Sequence, residues 1–319
     1  MPLWLRIVIS LGLLALVIAL ADWREVTAAL KGVDLRWVVV AAGIASVDRL
    51  IINRRWQILL AARGIHMTFL PLLRIQLAAN FLGLFLPSSV GLDAVRIAAL
   101  CRAGQPSAQV IAATLVDRMT LMIATLLFGS AMMLALAGAY VPPDIRRFVV
   151  IVTAAVVLVI ALCLLPSVRR WIRLTVFMRV PERWRLMLLN IAEASLAYRS
   201  GWQVILRVIG WTLALFAIRL LFAKAVVLSC GADVSFAELC VVIPVLWIIV
   251  MLPITIGGIG VQDAGYVALM SLVGVAPAVA VSMSLVEHVV IRAVTLPGVL
   301  FLTGVSNPRA TQVSSRAMD

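Results

Sequence analysis

Stretches of about 20 apolar residues, the length that crosses a bilayer as a helix, recur along this chain with only short polar interruptions. Backbone placed in hydrocarbon must satisfy its own hydrogen bonds, which leaves helices or a closed barrel. A barrel strand would alternate apolar and polar residues, whereas runs such as LMIATLLFGSAMMLALAGA (residues 121–139) are continuously apolar. The sequence therefore predicts an all-α polytopic membrane protein. Composition agrees: charged residues make up 13% of the chain, against about 25% in soluble domains.

Charge then orients the runs. Lys and Arg number 27 against 14 Asp and Glu, a formal net charge of +13. No basic stretch is interleaved with aromatics as a single-strand nucleic-acid groove would be, so no nucleic-acid partner is expected. Basic residues instead mark cytoplasmic loops and suit anionic lipid headgroups. The four cysteines stand singly and only two histidines, His66 and His288, are present, so no metal site, cofactor or disulfide framework is expected.

With the N-terminus inside, residues 1–34 read as a first span and an outside loop, DWREVTAALKGVD. The N-terminal run also resembles a cleavable signal peptide, but an uncleaved anchor is the reading adopted. A second span from residue 35 returns to the basic cluster Asn53-Arg54-Arg55, with Arg63 and Arg74 beyond it. The segment within residues 140–200 that carries Arg169, Arg170, Arg173, Arg179, Arg183, Arg185 and Arg199 is the strongest cytoplasmic signal. The helix before it, 107–139, must then begin inside. Residues 69–103 accordingly enter and return on the same side, breaking at LPSSVG, where Pro and Gly interrupt a helix. The same reasoning makes 239–275 a hairpin that enters from outside and breaks at LPITIGGIG.

The expected architecture is six spanning helices plus two oppositely oriented re-entrant helical hairpins. It consists of membrane repeat 1 (35–139), membrane repeat 2 (201–303) and a cytoplasmic tail (304–319). Adding 170 takes Arg49 to Arg219, Arg54 to Lys224, Asp93 to Asp263, Gly104 to Gly274 and Asp117 to Glu287. Inverted repeats with broken helices are the architecture of transporters that open a site to each side in turn. Both termini are predicted to be cytoplasmic, in the cytoplasmic (inner) membrane of the cell.

Ionisable residues within such runs are functional candidates by default. Asp93 and Arg96, one turn apart after the first break, share a helix face. Glycine-containing helix starts at both breaks offer backbone N–H groups to an anion, and Arg49, Arg96 and Arg219 add charge to the same group. The alternative for Asp93 and Asp263 is simple complementation of a helix N-terminus. The expected headgroup site comprises Arg49, Ser88, Ser89, Gly91, Asp93, Arg96, Arg118, Arg219, Gly257, Gly258, Gly260 and Asp263. Asp117, Glu287 and His288 are candidates for proton coupling, with internal ion pairing as the alternative. Asp48 and Arg292 belong to the same intramembrane polar set, while Arg54, Arg55 and Lys224 read as snorkelling residues. Trp4, Trp23, Trp37, Trp56, Trp171 and Trp184 read as interfacial anchors. No catalytic residue is assigned, because no nucleotide-binding or nucleophile motif appears.

The stretches NFLGLFLPSSVGLDAVRIAALCRAG (80–104), VDRM (116–119) and LPITIGGIGVQDAG (252–265) resemble the two signatures of the lysylphosphatidylglycerol synthase transmembrane-region family. The second signature commonly carries Glu where this chain has Asp263. In full-length members this membrane part is fused to a soluble aminoacyl-transfer domain and is thought to flip the aminoacylated lipid. The resemblance implies a stand-alone flippase acting on membrane lipids, phospholipid or polyprenyl-phosphate-linked, rather than a synthase. Two other readings stay open at this stage: an accessory subunit for a separately encoded lipid-biosynthetic enzyme, and an intramembrane transferase.

Overall fold

The computed structural model describes residues 23–85, 89–136, 143–165, 170, 198, 201–251 and 260–302. These form ten α-helices and no strand: α1 (Trp23–Lys31), α2 (Leu35–Ala61), α3 (Phe69–Gly83), α4 (Ser89–Arg102), α5 (Ser107–Leu136), α6 (Pro143–Leu164), α7 (Trp202–Ser229), α8 (Phe236–Met251), α9 (Val261–Ser271) and α10 (Pro277–Thr295). A 3₁₀ turn, Leu296–Phe301, continues α10. Among the described residues three helical stretches are long and apolar enough to cross a membrane: Ser107–Ala135, Trp202–Ser229 and Pro277–Phe301. The described residues are thus all-helical, those of a multi-pass membrane protein. Helix α2, with 27 residues, is about 40 Å long at 1.5 Å per residue, but it carries Asp48, Arg49, Arg54 and Arg55 and is less apolar. The expected first span and most of the Arg-rich segment lie outside the described residues.

Helices α3 and α4 pack together across the first break, and α8 packs on α9. Two local features add to the expected outline. The stretch expected as an outside loop holds α1, a nine-residue helix with Glu25 in its first turn and Lys31 in its last, each matched to the helix dipole there. Val26 anchors it, fully buried against Ala278 and Val281 of α10. The last helix, expected over 277–303, is α-helical to Thr295 and continues as the 3₁₀ turn to Phe301. Pro297 has no N–H for the next ladder bond, and the chain tightens into the 3₁₀ turn.

That turn lies directly on α3. A Cβ on Gly298 would sit 2.1 Å from the Leu77 carbonyl oxygen and 2.7 Å from its carbon. Backbone cannot yield as a flexible side chain does, so Gly298→Ala is expected to cost about 3 kcal/mol, the upper range for overpacking. Thermal unfolding in detergent measures this, and an unchanged melting temperature would contradict the contact.

The longest interface is α2 against α7, which run antiparallel. The Asp34 N–H, at the start of α2, donates to the Ser229 carbonyl at the end of α7 (2.8 Å), and the Tyr198 hydroxyl, just before α7, donates to the Leu59 carbonyl (2.6 Å). Two cores flank this pair. In one, Ala41 and Ala45 of α2 and Leu220, Phe222, Ala223 and Val226 of α7 pack with α8, α9 and α10. In the other, Trp56, Leu59 and Leu60 of α2 and Val208 of α7 pack with α3, α4 and α5. Outside them, α6 joins α5 through a Ser130–Thr153 hydroxyl pair at 2.6 Å.

Two kinds of turn occur twice. Gly64 and Gly231, after α2 and α7, have φ of 78° and 68°; Gly104 and Gly274, after α4 and α9, have φ of 80° and 79°. Each closes its helix with an N–H donated back five residues: Ile65 to Leu60, Ala232 to Val227, Gln105 to Leu100 and Val275 to Met270. Glycine suits a left-handed residue at a helix end because it lacks a Cβ.

A polar cavity and a buried ion network

A cavity of about 330 Å³ opens where α2 and α7 cross toward α8, α9 and α10, with the end of α3 at its edge. Helix α2 supplies Asp48 and Arg49, α7 supplies Arg219, α8 Trp247, α9 Gln262 and Tyr266, and α10 Glu287, His288 and Arg292. On α10, residues 284, 287, 288 and 291 fall on one stripe by the 3.6-residue repeat, so a single helix face brings its polar groups together.

Asp48 sits between two arginines. Its Oδ1 accepts from Arg219 Nε at 2.7 Å, and its Oδ2 lies 3.6 Å from Arg49 Nη1. The Arg219 guanidinium is also 5.7 Å from the Trp247 ring centroid, a distance at which the ring face attracts a cation. Glu287 is held differently: Gln262 Nε2 donates to Oε1 at 2.9 Å and the Tyr266 hydroxyl donates to Oε2. Arg292 lines the cavity with no acid partner among the described residues. The lining therefore presents three guanidinium groups and two carboxylates, a setting suited to an anion that can accept charge-assisted hydrogen bonds.

Behind the cavity wall, Asp263 closes the start of α9. Its Oδ2 accepts the Gly260 N–H at 2.9 Å, while Oδ1 accepts from Ser284 Oγ at 2.5 Å and lies 3.1 Å from His288 Nε2. The Gly260 N–H is thus taken up within the chain and is not offered to a ligand. Ser284 thus donates its hydroxyl hydrogen to Asp263.

The second polar group lies deep among α2, α4 and α5. Asp93 Oδ2 is 2.5 Å from Arg118 Nη1, and its Oδ1 is 3.6 Å from Arg96 Nη1. Arg55 Nη2 is 3.1 Å from Asp117 Oδ1 and donates to the Asp117 carbonyl at 3.2 Å. The Arg96 guanidinium stacks 3.9 Å above the Trp56 ring, and Trp56 Nε1 donates to Thr114 Oγ1. An acid on α4 thus meets a base on α5, as an acid on α9 meets a base on α10. Both pairs, Asp93–Arg118 and Asp263–His288, are 25 residues apart in sequence.

Of the expected headgroup residues, Arg49 and Arg219 line the cavity. Asp93, Arg96 and Arg118 form the separate buried network, Gly91 lies on α4 away from the cavity lining, and Asp263 and Gly260 bond one another. Arg96 is therefore not brought to the same group as Arg49 and Arg219. Ser88, Gly257 and Gly258 lie outside the described residues, and Ser89 is described only as backbone at the start of α4. Of the proton-coupling candidates, Glu287 and His288 reach the cavity while Asp117 is paired with Arg55.

Arg55 and Trp56, expected to snorkel and to anchor at the interface, are both fully buried. Successive helix residues are 100° apart, so Arg54 faces outward to Gln57 while Arg55 faces in. Lys224 reaches past its helix to the Val234 carbonyl at 2.6 Å. Gln262, Tyr266 and Trp247 were not singled out from sequence. The available signal was that Gln262 and Tyr266, four apart and so on one helix face, are uncharged polar side chains that follow closely on the second break.

No curated protein and no solved structure matches the chain. The family model of the lysylphosphatidylglycerol synthase TM region matches residues 3–298, nearly the whole chain, and the protein belongs to that family.

Proposed function

We propose that the protein is a lipid translocase of the cytoplasmic membrane, in which the cavity holds an anionic headgroup while the acyl chains stay in lipid. The observation that carries this reading is the Arg49–Asp48–Arg219 arrangement on the wall of a cavity within the helical bundle. Buried charge is costly in hydrocarbon, and here it lines a space large enough for a headgroup rather than filling it. Arg292 adds a cation without an acid partner among the described residues.

An inverted repeat of two halves, 35–139 and 201–303, completes the proposal, with re-entrant hairpins α3–α4 and α8–α9 pointing in opposite directions. Several observations support it. The offset of 170 that pairs Arg49 with Arg219 also pairs Asp93–Arg118 with Asp263–His288. The glycine turns after α4 and α9 share it as well. The matched helices α2 and α7 are antiparallel and meet where Arg219 contacts Asp48, beside its own counterpart Arg49. An in-plane two-fold axis would bring equivalent residues together in this way. Rocking of the halves about that point would offer the cavity to each leaflet in turn.

The test is reconstitution in proteoliposomes with headgroup-labelled phosphatidylglycerol and, separately, phosphatidylcholine, each followed by a membrane-impermeant quencher. Faster movement of the anionic lipid is expected. Movement no faster than in protein-free vesicles with either lipid, or with a polyprenyl phosphate, would contradict the proposal and direct attention to a separately encoded lipid-biosynthetic partner.

A further inference from the structure

Among the described acids within the helical bundle, Asp48, Asp93, Asp117 and Asp263 each have a basic nitrogen at ion-pair distance. Glu287 has none: its partners are the neutral Gln262 amide and Tyr266 hydroxyl. Resting on the translocase reading, we propose that Glu287 takes up a proton together with the anionic headgroup, so that the protein moves lipid and proton as one unit.

The hydrogen-bond inventory fits both forms of this carboxyl. When Glu287 is charged, Gln262 donates to one oxygen and Tyr266 to the other. When Glu287 is protonated on Oε2, its new O–H can donate to the Tyr266 oxygen, because a phenol hydroxyl both donates and accepts. The Gln262 amide keeps its bond to Oε1. Both forms keep Glu287 hydrogen-bonded to Gln262 and Tyr266, whereas protonating an acid locked to an arginine would strand the arginine's charge.

Placement supplies the coupling. Glu287 shares the cavity with Arg49, Arg219 and Arg292. A charged Glu287 opposes an anion drawn by those arginines, and a proton on it removes the opposition. Proton and headgroup therefore favour one another's binding, by the same factor in each direction. The other charged or titratable groups around Glu287 are Asp48 from α2, Tyr266 from α9, and His288 on its own helix, which in turn contacts Asp263. Asp48 is neutralised by two arginines, and Asp263 is bonded by Gly260, Ser284 and His288.

The experiment is calorimetric titration of the purified protein in detergent with short-chain (dihexanoyl) phosphatidylglycerol. Titrations in buffers of different ionisation enthalpy count the protons taken up per lipid bound. Uptake of about half a proton per lipid is expected in the wild type at the pH of steepest dependence, with affinity about tenfold weaker at alkaline than at acid pH, within the usual range for coupled sites. Glu287→Gln is expected to bind lipid with no proton uptake and a flat pH profile, and His288→Asn to retain uptake. Binding without uptake in the wild type overturns the proton site and leaves the translocase standing; absence of any lipid binding overturns the headgroup site and the coupling with it. Uptake that persists in Glu287→Gln, or vanishes in His288→Asn, also overturns the assignment. Should Glu287→Gln not fold, infrared difference spectra of the wild type decide, since a protonated-carboxyl C=O band must grow when lipid binds.

Discussion

Asp117→Ala is expected to be the most destabilising single change within the bundle, lowering stability by about 3–5 kcal/mol, the usual cost of stranding a buried charge. Arg55 is fully buried, and Asp117 is the acid at its guanidinium, 3.1 Å away. Truncation leaves that buried guanidinium with the Asp117 backbone carbonyl but no carboxylate in contact among the described residues. Replacing both partners by apolar residues of similar size, Arg55→Met with Asp117→Leu, is expected to recover most of the loss, because the pair's own desolvation offsets much of its attraction. Thermal unfolding of the two variants in detergent measures the difference. A single variant that melts with the wild type would mean that water reaches Arg55.

Arg219→Gln is expected to fold normally and to lose transport. Glutamine can still donate to Asp48, which also keeps Arg49 at 3.6 Å, so no buried charge is stranded. What disappears is one cation of the headgroup site. A hydrogen bond to a charged group is worth about 1.5–3 kcal/mol, so headgroup affinity and translocation should fall roughly 10- to 100-fold. Arg96→Gln should behave in the opposite manner. Its guanidinium lies on the Trp56 ring and against Asp93, away from the cavity, and its loss should lower stability with little change in which headgroup is preferred.

The difference between those two arginines also marks where the sequence is readable. Helix positions follow from apolar runs and from Pro and Gly, which is why α3 ends at Gly83, short of Pro87, although α4 starts at Ser89, already within the LPSSVG stretch. Spacing placed Asp93 and Arg96 on one face of α4 but carried no information on whether that face meets the cavity or the α2–α5 side. Helix α1 was missed because nine residues make a marginal helix alone, and what holds it is a tertiary contact, Val26 on α10. Arg55 was misplaced because adjacent basic residues were taken together although the helix turns them apart. Arg49, Arg219, Glu287 and His288 were legible as ionisable residues in apolar helices. Their neutral partners Gln262 and Tyr266 were not, since charge was the signal followed.

The decisive measurement is the rate at which headgroup-labelled phosphatidylglycerol crosses proteoliposome membranes, recorded side by side for the wild type and Arg219→Gln at equal amounts of folded protein. Rapid movement in the wild type that falls at least tenfold in the variant, the size set by one charged hydrogen bond, is the expected result. Equal rates in the two proteins would contradict a headgroup path through the Asp48–Arg219 cavity.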